Sequence, residues 1–329
     1  MSNAPIFPAP HTRLDFLHQS GLEAELSRAL NQGALANGWL ITGAKGIGKS
    51  TLAYKLARSL LHDPVSPTLE SPAGSRAASL IAARAHPDLF VAERIFDEKK
   101  ERYAAEISVE TMRDLTHFLN HTPSMGGWRV AIIDTADDLN RSSANALLKA
   151  LEEPPPRTAL FLLSAAPGRL LATIRSRCRR IAIRPYSDEV VATFLERESS
   201  MRGPDAMRIA KVAEGRPGFA LRLAAGDGPE ALNAVDEFLS AKDAGGVAAR
   251  LSQKNADGVW LLFQEMILRR IDAAALAAAK EADARAGDLV RLRETVGTLF
   301  TRGDALNLDR LQIVLAAARV IATAPRAIG

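Results

Sequence analysis

The sequence predicts an α/β domain in the N-terminal part of the chain and all-α regions after it. Short apolar runs at 39–42, 129–134 and 160–164 alternate with segments of helical periodicity. This alternation is typical of a parallel sheet covered by helices on both faces. A glycine-rich loop joins the first apolar run to a helical segment, and after Pro185 only helical periodicity remains.

The predicted elements of the α/β part alternate in type along the chain. A short amphipathic helix is expected within residues 1–36, and a second helix follows the glycine-rich loop. The segment 63–79 is rich in proline, serine and glycine, which indicates a loop. Asn140 or Ser142 is expected to cap a helix that the prolines at 154–156 end. The helix after the glycine-rich loop is expected at 50–61. The other predictions are strands at 89–92 and 181–184, a helix at 109–119 and an exposed charged turn at 98–106.

Composition limits the classes of function. The chain has 329 residues and a formal net charge of +4, a balance too mild to indicate nucleic-acid binding by itself. Aromatic residues make up only 5%, so stacking platforms for single strands are not evident. There is no run of 18 apolar residues and no secretory-signal pattern, so we expect a cytoplasmic protein without a membrane span. The single cysteine, Cys178, excludes an internal disulfide and any zinc site with two or more thiolates.

The glycine-rich loop carries the strongest motif. Residues 43–50 read GAKGIGKS and fit G-x-x-x-x-G-K-[ST] between a strand and a helix, the context of a nucleotide phosphate loop. Glycines let the backbone N–H groups face a phosphate, and the following helix N-terminus adds partial positive charge. The alternative is a turn that only connects the two elements. The candidate nucleotide-binding residues are Gly43, Ala44, Lys45, Gly46, Ile47, Gly48, Lys49, Ser50 and Thr51.

A magnesium site is expected beside this loop. Lys49 would reach the β- and γ-phosphate oxygens of ATP, and the Ser50 hydroxyl would take one Mg²⁺ position. Asp134 ends the strand at 129–134 and would hold the water shell of the metal. Many ATPases of this type place a glutamate directly after that aspartate as the catalytic base. Here the next residue is Thr135, whose hydroxyl cannot take a proton near neutral pH.

Several motifs in order resemble one known family. They are HPDLF at 86–90, GGWRVAIID at 126–134, NALLKALEEPP at 145–155 and Ser176-Arg177-Cys178. Together they cover about residues 35–185 and are similar to the ATPase core of bacterial clamp-loader subunits, members of the AAA+ class that serve DNA polymerase III. The resemblance is closest to the non-motor subunits of that family.

The resemblance implies a fold of three parts. A RecA-like AAA+ P-loop domain would span 1–185, a small three-helix lid 186–227, and a helical collar for oligomerisation 228–329. The change of pattern at Pro185 and the GDGPE segment at 226–230 agree with these boundaries. The family also implies a pentameric ring with gamma/tau and delta subunits. That ring places a sliding clamp on primed DNA during replication.

The family motif at Ser176-Arg177-Cys178 implies a catalytic role for Arg177 in a neighbouring subunit. In family members this arginine enters the ATP site of the next subunit and stabilises charge on the γ-phosphate. A guanidinium suits that role because it is always charged and is forked towards phosphate oxygens. Without the resemblance, a surface arginine in the basic run 175–180 would be the simpler interpretation.

Departures from the family's motor subunits favour a non-motor subunit. Thr135 stands where the base should be, and Gly218 stands where motor subunits carry a lid arginine. Arg216 or Arg222 could substitute, although neither placement follows from sequence. The zinc-binding cysteines found after the phosphate-loop helix in many relatives are missing. We therefore expect ATP binding with little or no hydrolysis by the chain alone. The alternatives are a motor ATPase of the gamma/tau type or another AAA+ ATPase, and a scaffold whose phosphate loop is a relic.

Overall fold

The computed structural model describes residues 7–17, 21–31, 38–65, 72–97, 102–240 and 243–323. The chain divides into two compact units. The first comprises residues 1–198 and 202–220, and the second 199–201 and 221–329. Two predictions fall partly outside the described residues, namely 66–71 of the expected loop and 98–101 of the expected charged turn.

A parallel sheet of five strands forms the centre of the first unit. The strands in chain order are β1 (Gly38–Thr42), β2 (Leu89–Glu93), β3 (Phe96–Asp97), β4 (Arg102–Tyr103), β5 (Arg129–Asp134), β6 (Thr158–Ser164) and β7 (Arg179–Ala182). The sheet order is β2-β5-β6-β1-β7, and β3 and β4 form a separate antiparallel hairpin. Because β5, β6 and β1 are neighbours, Asp134, Ser164 and Thr42 end at the same edge of the sheet. The five predicted strands are confirmed, with β7 beginning two residues before the predicted range 181–184. Of the hairpin, β4 lies within the predicted turn at 98–106 and β3 just before it.

Helices cover both faces of this sheet. They are α1 (Leu22–Asn31), α2 (Lys49–Leu61), α3 (Arg76–Ala82), α4 (Val109–Asn120), α5 (Arg141–Glu152) and α6 (Ala172–Arg177). Successive side chains of a strand point to opposite faces. In β6, Phe161 therefore packs in one core with Leu52 of α2, whereas Leu162 packs in the other with Leu147 of α5. The predicted α/β arrangement is confirmed.

Local capping explains where several helices begin and end. The Asn140 side chain accepts a hydrogen bond from the Ser143 amide at 2.9 Å, so Asn140 caps α5. The guanidinium of Arg129 donates to the carbonyls of Leu119 and His121 and so satisfies the C-terminal end of α4. The short helix α3 begins inside the segment that the sequence predicts as a loop. Its cap is Ser75, whose side chain accepts from the Ala78 amide at 3.1 Å.

Eight helices follow the sheet in the described part of the chain. They are α7 (Asp188–Glu198), α8 (Gly203–Ala213), α9 (Pro217–Ala224), α10 (Gly228–Leu239), α11 (Ala244–Leu251), α12 (Asp257–Lys280), α13 (Arg285–Ala305) and α14 (Arg310–Ala322). In the second unit, the rings of Trp260 and Phe300 meet edge to face with centroids 5.5 Å apart, and Phe238 meets Phe263 at 5.2 Å. Such pairs give a helical bundle a specific core. The predicted all-α C-terminal region is confirmed.

None of the described helices has the length and apolar character needed to cross a membrane. Within the same described ranges, no group of three or more histidine, cysteine, aspartate or glutamate side chains is placed to hold a metal ion.

Candidate nucleotide-binding site

The glycine-rich loop lies at the carboxyl edge of the sheet, between β1 and α2. Gly46 and Gly48 adopt φ values of +82° and +110°, which side chains other than glycine rarely allow. Gly48 is also the residue before the first turn of α2. Because the first amides of a helix have no carbonyl partner within the helix, this end of α2 suits a phosphate. The structure thus brings the predicted residues 43–51 together as one loop and helix start.

Lys49 is held inside the curve of this loop. Its side chain is buried, and Nζ donates to the carbonyl oxygens of Gly43 at 2.8 Å and Ala44 at 3.1 Å. An ammonium has three N–H donors, and these bonds account for two. Burial lowers the pKa of Lys49, while the carboxylate of Asp134 acts in the opposite direction. A buried cation of this kind fits an anionic ligand in the loop.

Ser50 and Asp134 meet as the sequence predicts. The Ser50 hydroxyl donates to Oδ2 of Asp134 at 2.6 Å. Hydroxyl and carboxylate oxygens are the ligands that Mg²⁺ takes beside a nucleotide. Burial raises the pKa of Asp134, and the hydrogen bond from Ser50 and the charge of Lys49 partly offset this. The donor set of the site therefore fits a magnesium nucleotide.

The raised pKa of Asp134 leads to a stability prediction. The folded protein binds a proton on the Asp134 carboxylate more tightly than the unfolded chain does. The carboxylate therefore costs stability as the pH rises from the unfolded pKa, about 3.9, through the folded value. We expect Asp134→Asn to raise the free energy of unfolding of the nucleotide-free protein at pH 7 by about 0.5–2 kcal/mol. Urea unfolding at pH 7 and pH 4.5 measures this, with the gain shrinking at the lower pH. A less stable variant at pH 7 would contradict it.

Thr135, the residue after Asp134, belongs to a cluster of hydrogen-bonded polar side chains. The Thr135 hydroxyl donates to the Leu163 carbonyl at 2.6 Å. One oxygen of Asp137 accepts from the Ser164 hydroxyl at 2.6 Å, and the other accepts from the Ala165 amide at 2.6 Å. Asp138 forms an ion pair with Arg94 at 3.0 Å. Both acidic groups near Thr135 therefore have structural partners.

Two contacts with the loop are not predictable from the motif. A Cβ added at Gly48 would lie 3.3 Å from the ring of Phe16. The amide of Gly218, in the first turn of α9, donates to the Gly46 carbonyl at 2.8 Å. Phe16 lies in a segment without periodicity, and the sequence singles out Gly218 only as a missing arginine. In the sequence, the signal for this contact is that both residues are glycine. The structure explains why, because a Cβ added at Gly218 would lie 3.0 Å from the Gly46 oxygen.

The two arginines considered as lid sensors have partners elsewhere. Arg216 is buried, its Nε donates to the Ala213 carbonyl at 2.7 Å, and its guanidinium lies 4.6 Å from the centre of the Phe219 ring. Arg222 forms an ion pair with Glu265 at 3.0 Å. These contacts describe structural roles for both side chains.

Arg177 lies at the other edge of the sheet. It is the last residue of α6, two positions before β7, whose first residue pairs with Trp39 near the start of β1. A Cβ added at Gly38 would lie 3.7 Å from the Arg177 carbonyl oxygen, whereas the phosphate loop follows the opposite end of β1. A strand of this length separates the two edges by roughly 13 Å. The structure therefore does not bring Arg177 to the chain's own phosphate loop.

The neighbouring Cys178 is a packing residue. A Cβ added at Gly38 would lie 3.1 Å from its Sγ. Burial raises the pKa of this thiol to about 11, so the reactive thiolate is scarce at neutral pH.

Comparison with known proteins decides the family. The model of the family described as DNA polymerase III, delta subunit, matches residues 18–187, more than half of the chain. The chain belongs to this family. The expected membership of the clamp-loader subunits is thereby confirmed.

The similar proteins include both subunit types considered above. The chain is 35% identical to DNA polymerase III subunit delta' of Escherichia coli over 202 residues, which is 61% of this chain and 58% of that protein. It is 42% identical to subunit delta' of Pseudomonas aeruginosa over 144 residues, 44% of this chain and 42% of that protein. It is 29% identical to subunit tau of E. coli over 288 residues, 81% of this chain and 42% of that protein. The chain thus spans about half the length of these relatives.

Proposed function

We propose that this chain is the delta-prime subunit of a DNA polymerase III clamp loader. In this proposal it joins gamma/tau and delta subunits in a pentameric ring in the cytoplasm. It helps this ring load a sliding clamp on primed DNA. It binds ATP without efficient hydrolysis and contributes Arg177 to the ATP site of a motor neighbour. The identities of 35% and 42% to delta' subunits support this choice over the 29% identity to tau.

We propose that the chain has three domains with separate roles. Residues 1–185 hold the nucleotide, 186–227 form the lid, and 228–329 form the collar. The helices α7 to α9 fall within the second range, and α10 to α14 fall within the third. The hydrogen bond from Gly218 to Gly46 supports a lid that contacts the phosphate loop.

The observation that carries the proposal is the separation of Arg177 from the phosphate loop. An arginine at the amino edge of the sheet is too far from its own loop to contact the γ-phosphate there. Its side chain is 36% exposed, so a neighbouring molecule can reach it. Both its distance from the chain's own loop and its exposed side chain support a role for Arg177 in the ATP site of a second subunit.

The chain's own site would hold ATP and Mg²⁺ through residues already in place. The amides of 46–50 and Lys49 would bind the phosphates, and Ser50 and Asp134 would hold the metal. When bound, Mg²⁺ neutralises phosphate charge. The Thr135 and Ser164 hydroxyls donate to other groups, so neither has an O–H left to donate to a phosphate oxygen.

The lone chain is expected to bind nucleotide without turning it over. Since loss of a catalytic base removes about 10²–10⁴-fold of rate, steady-state hydrolysis should be close to background. The hydroxyls of Thr135 and Ser164 donate within the fold and add no hydrogen bond to a γ-phosphate, so we expect MgADP to bind detectably as well as MgATP. Calorimetric titration with both nucleotides and a phosphate-release assay measure these quantities.

A motor ATPase is the second candidate, because Lys49, Ser50 and Asp134 are all in place. Hydrolysis by the lone chain at the rate of a purified gamma or tau subunit would favour it and contradict our proposal. Preparations should be compared with Lys49→Ala, so that a contaminating ATPase is recognised.

A further inference from the structure

The position of Glu152 is electrostatically unusual. It is the last residue of α5, and a carboxylate there faces the partial negative charge of the helix C-terminus. Its partner is Arg177, the last residue of α6, with Nη2 of the arginine 2.7 Å from Oε1 of the glutamate. The ion pair thus joins the ends of two helices. An unfavourable site for a carboxylate, filled by one that contacts the proposed catalytic arginine, suggests a role for Glu152 through that arginine.

The guanidinium of Arg177 has two supports. Besides the ion pair with Glu152, Nη1 donates to the Thr173 carbonyl in the preceding turn at 3.1 Å. A guanidinium carries five N–H donors in a rigid plane. Two supports on different nitrogens set the direction of that plane and leave further N–H groups for a phosphate.

An arginine whose side chain is already restricted docks on a phosphate at a smaller entropic cost, which favours the catalytic step that it assists. A free arginine loses much side-chain freedom when it docks on a phosphate, and this loss opposes binding. A carboxylate that already restricts the side chain reduces the loss. The effect belongs to the step in which Arg177 contacts the γ-phosphate and leaves the neighbour's nucleotide affinity unchanged.

We infer that Glu152 is a positioning residue, which orients Arg177 towards the ATP of the neighbouring subunit. This inference rests on the proposed function. Glu152 itself contacts no phosphate, because two carboxylate oxygens beside phosphate oxygens would repel them. Its influence passes through the ion pair with Arg177.

The test compares Glu152→Gln with Glu153→Gln in the complex reconstituted with the gamma or tau and delta subunits of the same organism. Glu153 is adjacent and exposed, and among the described residues it forms no ion pair. We expect Glu152→Gln to lower kcat at the completed site by about two- to fivefold, the range of an exposed ion pair. KM for ATP should not change, and Glu153→Gln should behave as the wild type. The effect should diminish in high salt, which screens the pair.

Two further measurements distinguish the positioning of Arg177 from a general loss of charge or of stability. In an Arg177→Ala background, Glu152→Gln should have no additional effect, because the pair is already broken. Melting temperatures and assembly yield of the single variant should match those of Glu153→Gln. A further loss in the Arg177→Ala background, or an increase in kcat from Glu152→Gln, would overturn the inference.

The outcomes also distinguish this inference from the proposed function. If Arg177→Ala lowers hydrolysis by the complex and Glu152→Gln matches its control, only the positioning role fails. If Arg177→Ala has no effect, the proposed role of the arginine fails and the positioning role fails with it.

Discussion

Replacing Arg177 with alanine is expected to lower ATP hydrolysis at the motor site that it completes by about 10³-fold or more, the range found for arginine fingers. The physical reason is the loss of a fixed positive charge beside the γ-phosphate in a site with little water. The chain's own affinity for nucleotide should change less than twofold, since Arg177 lies at the opposite edge of the sheet from the phosphate loop. Single-turnover hydrolysis in the reconstituted complex resolves this site from the other motor sites.

Arg175→Ala is the matched control for this experiment. Arg175 is exposed on the same short helix and carries the same charge, so it reports any general effect of removing a cation from α6. Arg177→Lys is expected to recover only part of the rate, because lysine keeps the charge but lacks the forked donors. Equal hydrolysis by the Arg177→Ala complex and the wild-type complex would rule out the proposed role.

Replacing Lys49 with alanine is expected to weaken nucleotide binding by the lone chain at least about 100-fold. Each hydrogen bond to a charged group contributes about 1.5–3 kcal/mol, and a tenfold change in Kd corresponds to about 1.4 kcal/mol. The ammonium is buried against the Gly43 and Ala44 carbonyls, inside the curve of the loop. Fluorescence titration with a labelled ATP analogue measures the change.

Lys149→Ala supplies the control for Lys49→Ala, because Lys149 is an exposed lysine of α5, outside the phosphate loop. We expect its titration curve to stay close to that of the wild type. Thermal unfolding without nucleotide checks that both variants remain folded. Indistinguishable titrations of wild type and Lys49→Ala would support the interpretation that the phosphate loop is a relic scaffold.

The sheet was predictable because its signals are local. A strand buried on both faces is a continuous apolar run, and the runs at 129–134 and 160–164 have no other good interpretation. The helix α3 is not predictable from the sequence because it is short, and its signals are the cap Ser75 and the buried Ile81. The hairpin of β3 and β4 has two residues in each strand, too few for alternation to be visible.

In the candidate site, too, the local features are predictable and the contacts between distant residues are not. The residues 43–50 are consecutive, and a strand, a loop and a helix in succession are sufficient to define their geometry. The contact between Gly46 and Gly218 joins residues that are distant in sequence, and the pair of Glu152 and Arg177 joins the ends of two separate helices. Periodicity and spacing carry no information about such pairs, because they depend on how whole elements pack.

The opposite placement of Arg177 and the phosphate loop gives the domain a direction. A protein that offers a group at one edge and accepts one at the other makes head-to-tail contacts with its neighbours, and such contacts need no twofold symmetry. Under the proposed function, Thr135 makes this chain a donor whose own accepting edge performs no chemistry. A ring that contains this chain therefore has fewer sites that hydrolyse ATP than it has subunits.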